Sequence, residues 1–92
     1  MPNFQINSGG NTADSIDADF RAVRDAANAL VDALRAAQCN ALHGRNYQTV
    51  PDAQQAQDTD LKDCRDFIRQ ATVAAYWASS GVAEAHRQKP TG

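Results

Sequence analysis

An all-α fold, an antiparallel helical hairpin with coiled-coil-like seams, is predicted by three features of the sequence. Two long stretches carry apolar residues at alternating three- and four-residue spacing, the period that keeps one face of an α-helix apolar. In the second stretch these are Leu61, Cys64, Ile68, Ala71, Ala75, Ala78 and Val82; in the first, Ile16, Phe20, Val23, Ala27, Leu30, Leu34, Ala37 and Ala41. Between them, Gly44 and Pro51 mark a connection that reads as a reversal. A turn centred near Pro51 sets Ala41 beside Leu61, Leu34 beside Ile68, Ala27 beside Ala75 and Phe20 beside Val82.

Taken in order, residues 1–10 read as a flexible N-terminal arm, with Phe4 and Ile6 alternating with polar neighbours before the Gly9-Gly10 break. Two readings stand for it, a frayed terminus and an arm that docks Phe4 and Ile6 on a neighbouring subunit. Helix 1 is predicted over about residues 12–43. Asn11 or Thr12 can cap its start, Asp14, Asp17 and Asp19 complement the positive helix end, and Gly44 suits its stop. Beside its seam runs a ridge of small side chains, Ala22, Ala26, Ala29, Ala33 and Ala36, read as a second packing face. The connection takes about residues 44–58. Val50, Ala53 and Ala56 could extend helix 2 backwards, but Gln54 and Gln57 fall on its seam, so that helix is predicted from about residue 59 to about 87. Gly81 weakens it, and His86, Arg87 and Lys89 suit its negative end before Pro90.

A chain of 92 residues allows one small domain with little room for an independent core. Roughly a fifth of it is alanine, whose burial contributes far less than the ~1.5–3 kcal/mol of a leucine or phenylalanine. Self-association into a homo-oligomer is therefore expected, with Phe67 and Trp77 on a flank of helix 2 joining the alanine ridge as its interface. Nine Lys and Arg against eleven Asp and Glu give a net charge of -2, which excludes a strongly basic DNA-binding surface. No stretch approaches the roughly 18 apolar residues of a membrane span, and neither end shows a charged region followed by an apolar run. A soluble, cytoplasmic protein with no membrane role is expected. Cys39 and Cys64 are too few for a disulfide scaffold and are expected to be free thiols.

The stripe that carries binding chemistry lies one step round helix 2 from its seam: Lys62, Arg65, Arg69, Thr72 and Tyr76, with Ser79 continuing the line. Arg65 has no acidic residue three or four positions away, so its charge gains from an external anion. A planar guanidinium suits phosphate oxygens, the hydroxyls of Thr72 and Tyr76 extend the line, and an aromatic ring can stack on a base. The competing reading is a solvated face in which Asp66 answers Arg69 and Asp58 answers Lys62. A second basic pair, Arg21 and Arg24, falls on helix 1 roughly 20 Å along the hairpin from Arg65 at about 1.5 Å per residue, and is expected to form a separate site. Cys39, His43 and Cys64 fall short of the four ligands that zinc requires, so no metal and no cofactor are expected. With no glycine-rich phosphate loop, nucleophile motif or paired carboxylates, no catalytic residue is assigned and a non-enzyme is expected.

Leu61, Arg65, Ile68, Gln70, Ala71, Val73 and Ala74 form the pattern L-x3-R-x2-I-x-Q-A-x-V-A. It resembles the second helix of the small phage anti-CBASS proteins, sponges that sequester cyclic-oligonucleotide immune signals. Phe20 and Arg21, followed by Leu30, Val31 and Leu34, look similar to that family's first helix, where a lysine stands at the position of Arg21. The resemblance implies a helical oligomer, a hexamer, holding cyclic di- or trinucleotides at subunit interfaces, with Arg65 on one ligand and Arg21 on another. The alternative partner is another protein, gripped by the alanine and aromatic faces in the manner of an inhibitor or assembly factor.

Overall fold

Residues 1–89 are described by a computed structural model in which two long helices pack antiparallel, with no strand among them. The body is a rod with extents of 65 × 18 × 17 Å. Helix α1 spans Ala13–Cys39 and α2 spans Ala53–Gln88, joined through a short 3₁₀ turn at Gly44–Asn46. Among the described residues no helix is long and apolar enough to cross a membrane.

Thr12 caps α1, its hydroxyl accepting from the Ser15 amide at 3.1 Å. The far end of α1 comes earlier than Gly44 suggests. At Asn40 the ladder closes with Asn40 N–H on the Ala36 carbonyl and Leu42 N–H on the Ala37 carbonyl, both at 3.0 Å. The freed carbonyls of Asn40 and Ala41 then accept from the Asn46 side-chain amide at 2.9 and 3.0 Å. Helix α2, conversely, begins at Ala53, several residues before the expected start. Gln57, which looked wrong for a seam, points its amide at the Leu42 carbonyl (3.0 Å) and so satisfies an acceptor left over from the turn. Gln54 bonds Asp58 at 3.0 Å. Asp52 opens α2 in the left-handed conformation (φ 51°) and makes no side-chain cap.

The interface between the helices is narrow because α2 brings small residues to it: Cys64, Ala71, Ala78, Gly81 and Ala85 are its buried positions. From α1, Ala13, Ala27 and Val31 are buried, flanked by half-buried Ile16, Phe20 and Leu34. Three seam residues expected inside are therefore outside: Val23 at 41% and Leu30 at 51% exposure, and Ala41, which falls beyond the end of α1. With backbones this close a leucine does not fit between them, so α1 turns Val31 inward and lays the stem of Arg24 along the seam instead, its side chain only 31% exposed. Cys64 Sγ donates to the Leu34 carbonyl at 3.3 Å.

At Gly81 a side chain of α1 lies directly against the α2 backbone. A Cβ there would sit 2.4 Å from the Phe20 ring, so the residue that weakens the helix locally is what seats the aromatic. The Phe20 ring meets Trp77 edge-on at 5.2 Å and stacks on Phe4 at 5.5 Å. The N-terminal arm thus docks on its own chain. Gln88 fastens it with one amide, Nε2 donating to the Phe4 carbonyl at 2.9 Å and Oε1 accepting from Ile6 N–H at 2.8 Å.

The two long sides of the rod differ in chemistry. On one, Arg24 and Asn28 of α1 face Thr72, Ala75, Tyr76 and Ser79 of α2 across a groove. Val23 and Leu30 lie on the opposite flank of α1's buried stripe, and Phe67, Ala74 and Trp77 on the opposite flank of α2's. Those two flanks consequently share the other side, which is apolar.

Candidate functional site

The groove between Arg24, Asn28, Thr72, Ala75, Tyr76 and Ser79 encloses about 280 Å³. Each wall follows from helical period: Arg24 and Asn28 are one turn apart on α1, while Thr72, Tyr76 and Ser79 repeat at four and three on α2. Arg24 therefore shares a groove with the hydroxyl end of the α2 stripe, while Arg65 lies further along the rod, towards its closed end. Two turns beyond Asn28 on the same face stands Arg35, level with Arg65. Among the described residues neither Arg35 nor Arg65 makes an ion pair or side-chain hydrogen bond. Along α1 the guanidiniums of Arg24 and Arg35 are spaced by roughly 16 Å of helix rise.

The donors are not equivalent. Arg24 bonds Asp25 Oδ1 through Nε at 3.2 Å and Nη2 at 3.1 Å, but Asp25 is a neighbour in sequence and solvent-exposed, a weak restraint. Thr72 donates its hydroxyl to the Ile68 carbonyl at 2.8 Å and presents lone pairs, not a proton, to the groove. Tyr76 is 73% exposed, open for stacking. Asn28 adds an amide that sequence reasoning did not include; its signal was the four-residue step from Arg24.

Other predicted binding residues lie elsewhere. Lys62 and Arg69 both turn to Asp66, at 3.9 and 3.6 Å, so the carboxylate expected for Arg69 serves both, and Asp58 is engaged by Gln54 rather than Lys62. Arg21 is held by Asp17 at 2.7 Å and lies 3.3 Å from His86 Nε2. The Arg21 hydrogen bond holds the Asp17 carboxyl below its ordinary value against the opposing effect of its burial, with His86 adding a smaller attraction. Asp17 Oδ1 is enclosed without an aligned hydrogen-bond donor; His86 Nε2 stands 3.2 Å away. Arg21 is thus part of a clasp tying the start of α1 to the end of α2, joined there by Lys89 on Asp14 at 3.1 Å.

Of the predicted interface residues, Phe67 is 53% and Trp77 44% exposed, and Ala22, Ala26, Ala29, Ala33 and Ala36 are all exposed. A wider cleft of about 490 Å³ opens between the arm and the end of α2. Its guanidinium, Arg87, is already bonded to Glu84 through Nε and Nη2. Cys39 is exposed and Cys64 buried, both free, and among the described residues no three metal-ligating side chains converge.

Comparisons with protein families, with curated proteins and with solved structures found no match.

Proposed function

We propose that this chain is a non-enzymatic, self-associating helical hairpin that sequesters a small phosphorylated ligand along its polar side. The observation that carries the reading is the groove in which Arg24 and Asn28 meet Tyr76 and Ser79, continued by Arg35 and Arg65. Phosphate oxygens accept from guanidinium, amide and hydroxyl donors, and the open Tyr76 ring offers a base a stacking platform. A cyclic di- or trinucleotide unites those two demands. That form of the ligand, and a phage-type role in the host cytoplasm, rest on the resemblance of the Leu61–Ala74 pattern.

The test is calorimetric titration of the full chain with a panel of cyclic di- and trinucleotides. Arg24→Ala and Arg65→Ala should each remove about 1.5–3 kcal/mol of binding, the worth of a charge-assisted hydrogen bond, with helicity unchanged. No binding heat from any nucleotide overturns the reading. The exposed Phe67 and Trp77 favour a second reading, an inhibitor or assembly factor that grips a different protein. That reading gains if Trp77→Ala abolishes capture of one identified partner while nucleotides stay silent.

A further inference from the structure

Hydrogen-bonding capacity is distributed unevenly along the polar groove. The contacts of Leu34 with Cys64 and of Phe20 with Gly81 set the register of the two helices. By it Asn28 stands level with Thr72, and Arg24, one turn further from the connection, with Tyr76; Ser79 lies beyond them. Arg24 only donates, and the Ser79 hydroxyl can donate or accept. Thr72 is the reverse. Its proton is held by the Ile68 carbonyl at 2.8 Å, the back-bond of a helical threonine, so only lone pairs face the groove. Phosphodiester oxygens are acceptors alone, which matches them to the Arg24 end and mismatches them to Thr72. From Ser79 to Thr72 is roughly 10 Å of helix rise, room for a nucleotide laid lengthwise from phosphate to the far edge of its base.

We infer that Thr72 selects the base of the ligand: the phosphate lies on Arg24, the base over Tyr76, and an exocyclic amine on the far edge of that base donates to Thr72 Oγ1. The inference rests on the ligand reading and narrows it to nucleotides of amino-bearing bases. Asn28 completes the edge, since its amide offers one donor and one acceptor. Adenine answers with N7 and one hydrogen of its N6 amine, leaving the other hydrogen for Thr72. Guanine answers with O6 and N1–H, and its N2 amine reaches Thr72. Hypoxanthine keeps the O6 and N1–H pair but has no amine, and uracil carries a second carbonyl there. With either of those the Thr72 lone pairs meet no donor, and a site built to accept a hydrogen bond rejects an analogue that cannot give one.

The experiment is calorimetric titration of the full chain with the cyclic dinucleotides of adenine, guanine, hypoxanthine and uracil, repeated on Thr72→Val and Thr72→Ser, with circular dichroism verifying helicity. The wild type should bind the adenine and guanine ligands about tenfold more tightly than the other two, the worth of one hydrogen bond. Thr72→Val keeps the shape of the side chain and removes the acceptor, so it should erase that preference by weakening the amino-bearing ligands alone. Thr72→Ser restores the hydroxyl and should keep the preference. Equal affinity of the wild type for the guanine and hypoxanthine ligands overturns the inference and leaves the ligand reading standing, as does an equal loss for all four ligands in Thr72→Val. Silence with all four overturns the inference; silence with the cyclic trinucleotides as well overturns the ligand reading with it.

Discussion

The two ends of the rod are held by different forces. At the closed end the chain connection already keeps the helices together, and the bonds there mainly satisfy backbone groups: Asn46 on the Asn40 and Ala41 carbonyls, Gln57 on the Leu42 carbonyl, and buried Tyr47 donating to Asp60 at 2.7 Å. At the open end nothing covalent joins α1 to α2. There the largest side chains and the most ion pairs gather: Phe4, Phe20 and Trp77 around Gly81, then Asp17, Arg21 and His86, with Lys89 on Asp14. Where connectivity supplies the proximity, polar satisfaction suffices; where it does not, packing and charge must hold the ends together.

The comparison is broken most severely at Phe20. Phe20→Ala removes the centre of the aromatic cluster and should cost about 3 kcal/mol, the low edge of the usual range because the ring is half-buried; thermal denaturation measures it. An equal loss from a closed-end change such as Tyr47→Phe would refute the asymmetry. Gly81→Ala comes next. Helix propensity alone predicts a gain of about 1 kcal/mol, but the added Cβ meets the Phe20 ring at 2.4 Å. We expect a net loss of about 1–2 kcal/mol from overpacking, and a stabilised variant would mean that the ring can move aside freely.

Tyr47→Phe deletes a hydrogen bond to a carboxylate and should cost about 1.5 kcal/mol. The donated proton raises the Tyr47 pKa above its ordinary 10, with desolvation assisting. The tyrosine contribution is therefore complete below pH 10 and lost as pH rises through the folded value, so alkaline denaturation should loosen the closed end. Acid acts at the other end. Glu84, held by Arg87 and Gln88, is lowered from 4.5 to about 2, and Asp17 is lowered chiefly by Arg21. The Glu84 contribution is present above about 4.5 and lost as pH falls towards about 2, and that of Asp17 is present above its ordinary 3.8 and lost as pH falls below it. Hydrogen exchange across that range should show the arm and the last turns of α2 opening before the connection. Protection lost first at Tyr47 would reverse the assignment. The smallest effect expected is at Asp52, where a glycine accepts the left-handed conformation more readily; Asp52→Gly should stabilise by up to about 1 kcal/mol in the same thermal assay.

The hairpin was legible in the sequence because helical period is local information. The three-four spacing of Cys64, Ala71 and Ala78 needs no partner to be recognised, and those positions are buried. The same spacing misplaced Val23 and Leu30. Which of two adjacent stripes turns inward depends on how closely the other helix approaches, and that was set by Ala71, Ala78 and Gly81 across the interface. The candidate site divides in the same way. Thr72, Tyr76 and Arg24 were recognisable as polar faces of separate helices, yet their meeting required the register and rotation of one helix against the other. Asn28 was passed over for that reason, since it acquires meaning only opposite the α2 hydroxyls.

Sequence by itself determined that this chain makes two amphipathic helices with a reversal between them, because capping, period and turn chemistry act over a few residues. Tertiary structure decided where α2 starts, since Gln57 is tolerable on its seam only with the Leu42 carbonyl to satisfy. It decided that Phe4 docks on its own chain, since Phe20 and Gln88 form that seat only after the hairpin closes. It also gave the rod its two unlike sides. The faces of each helix are written in its own sequence, but which faces end up together depends on the angle at which the helices meet.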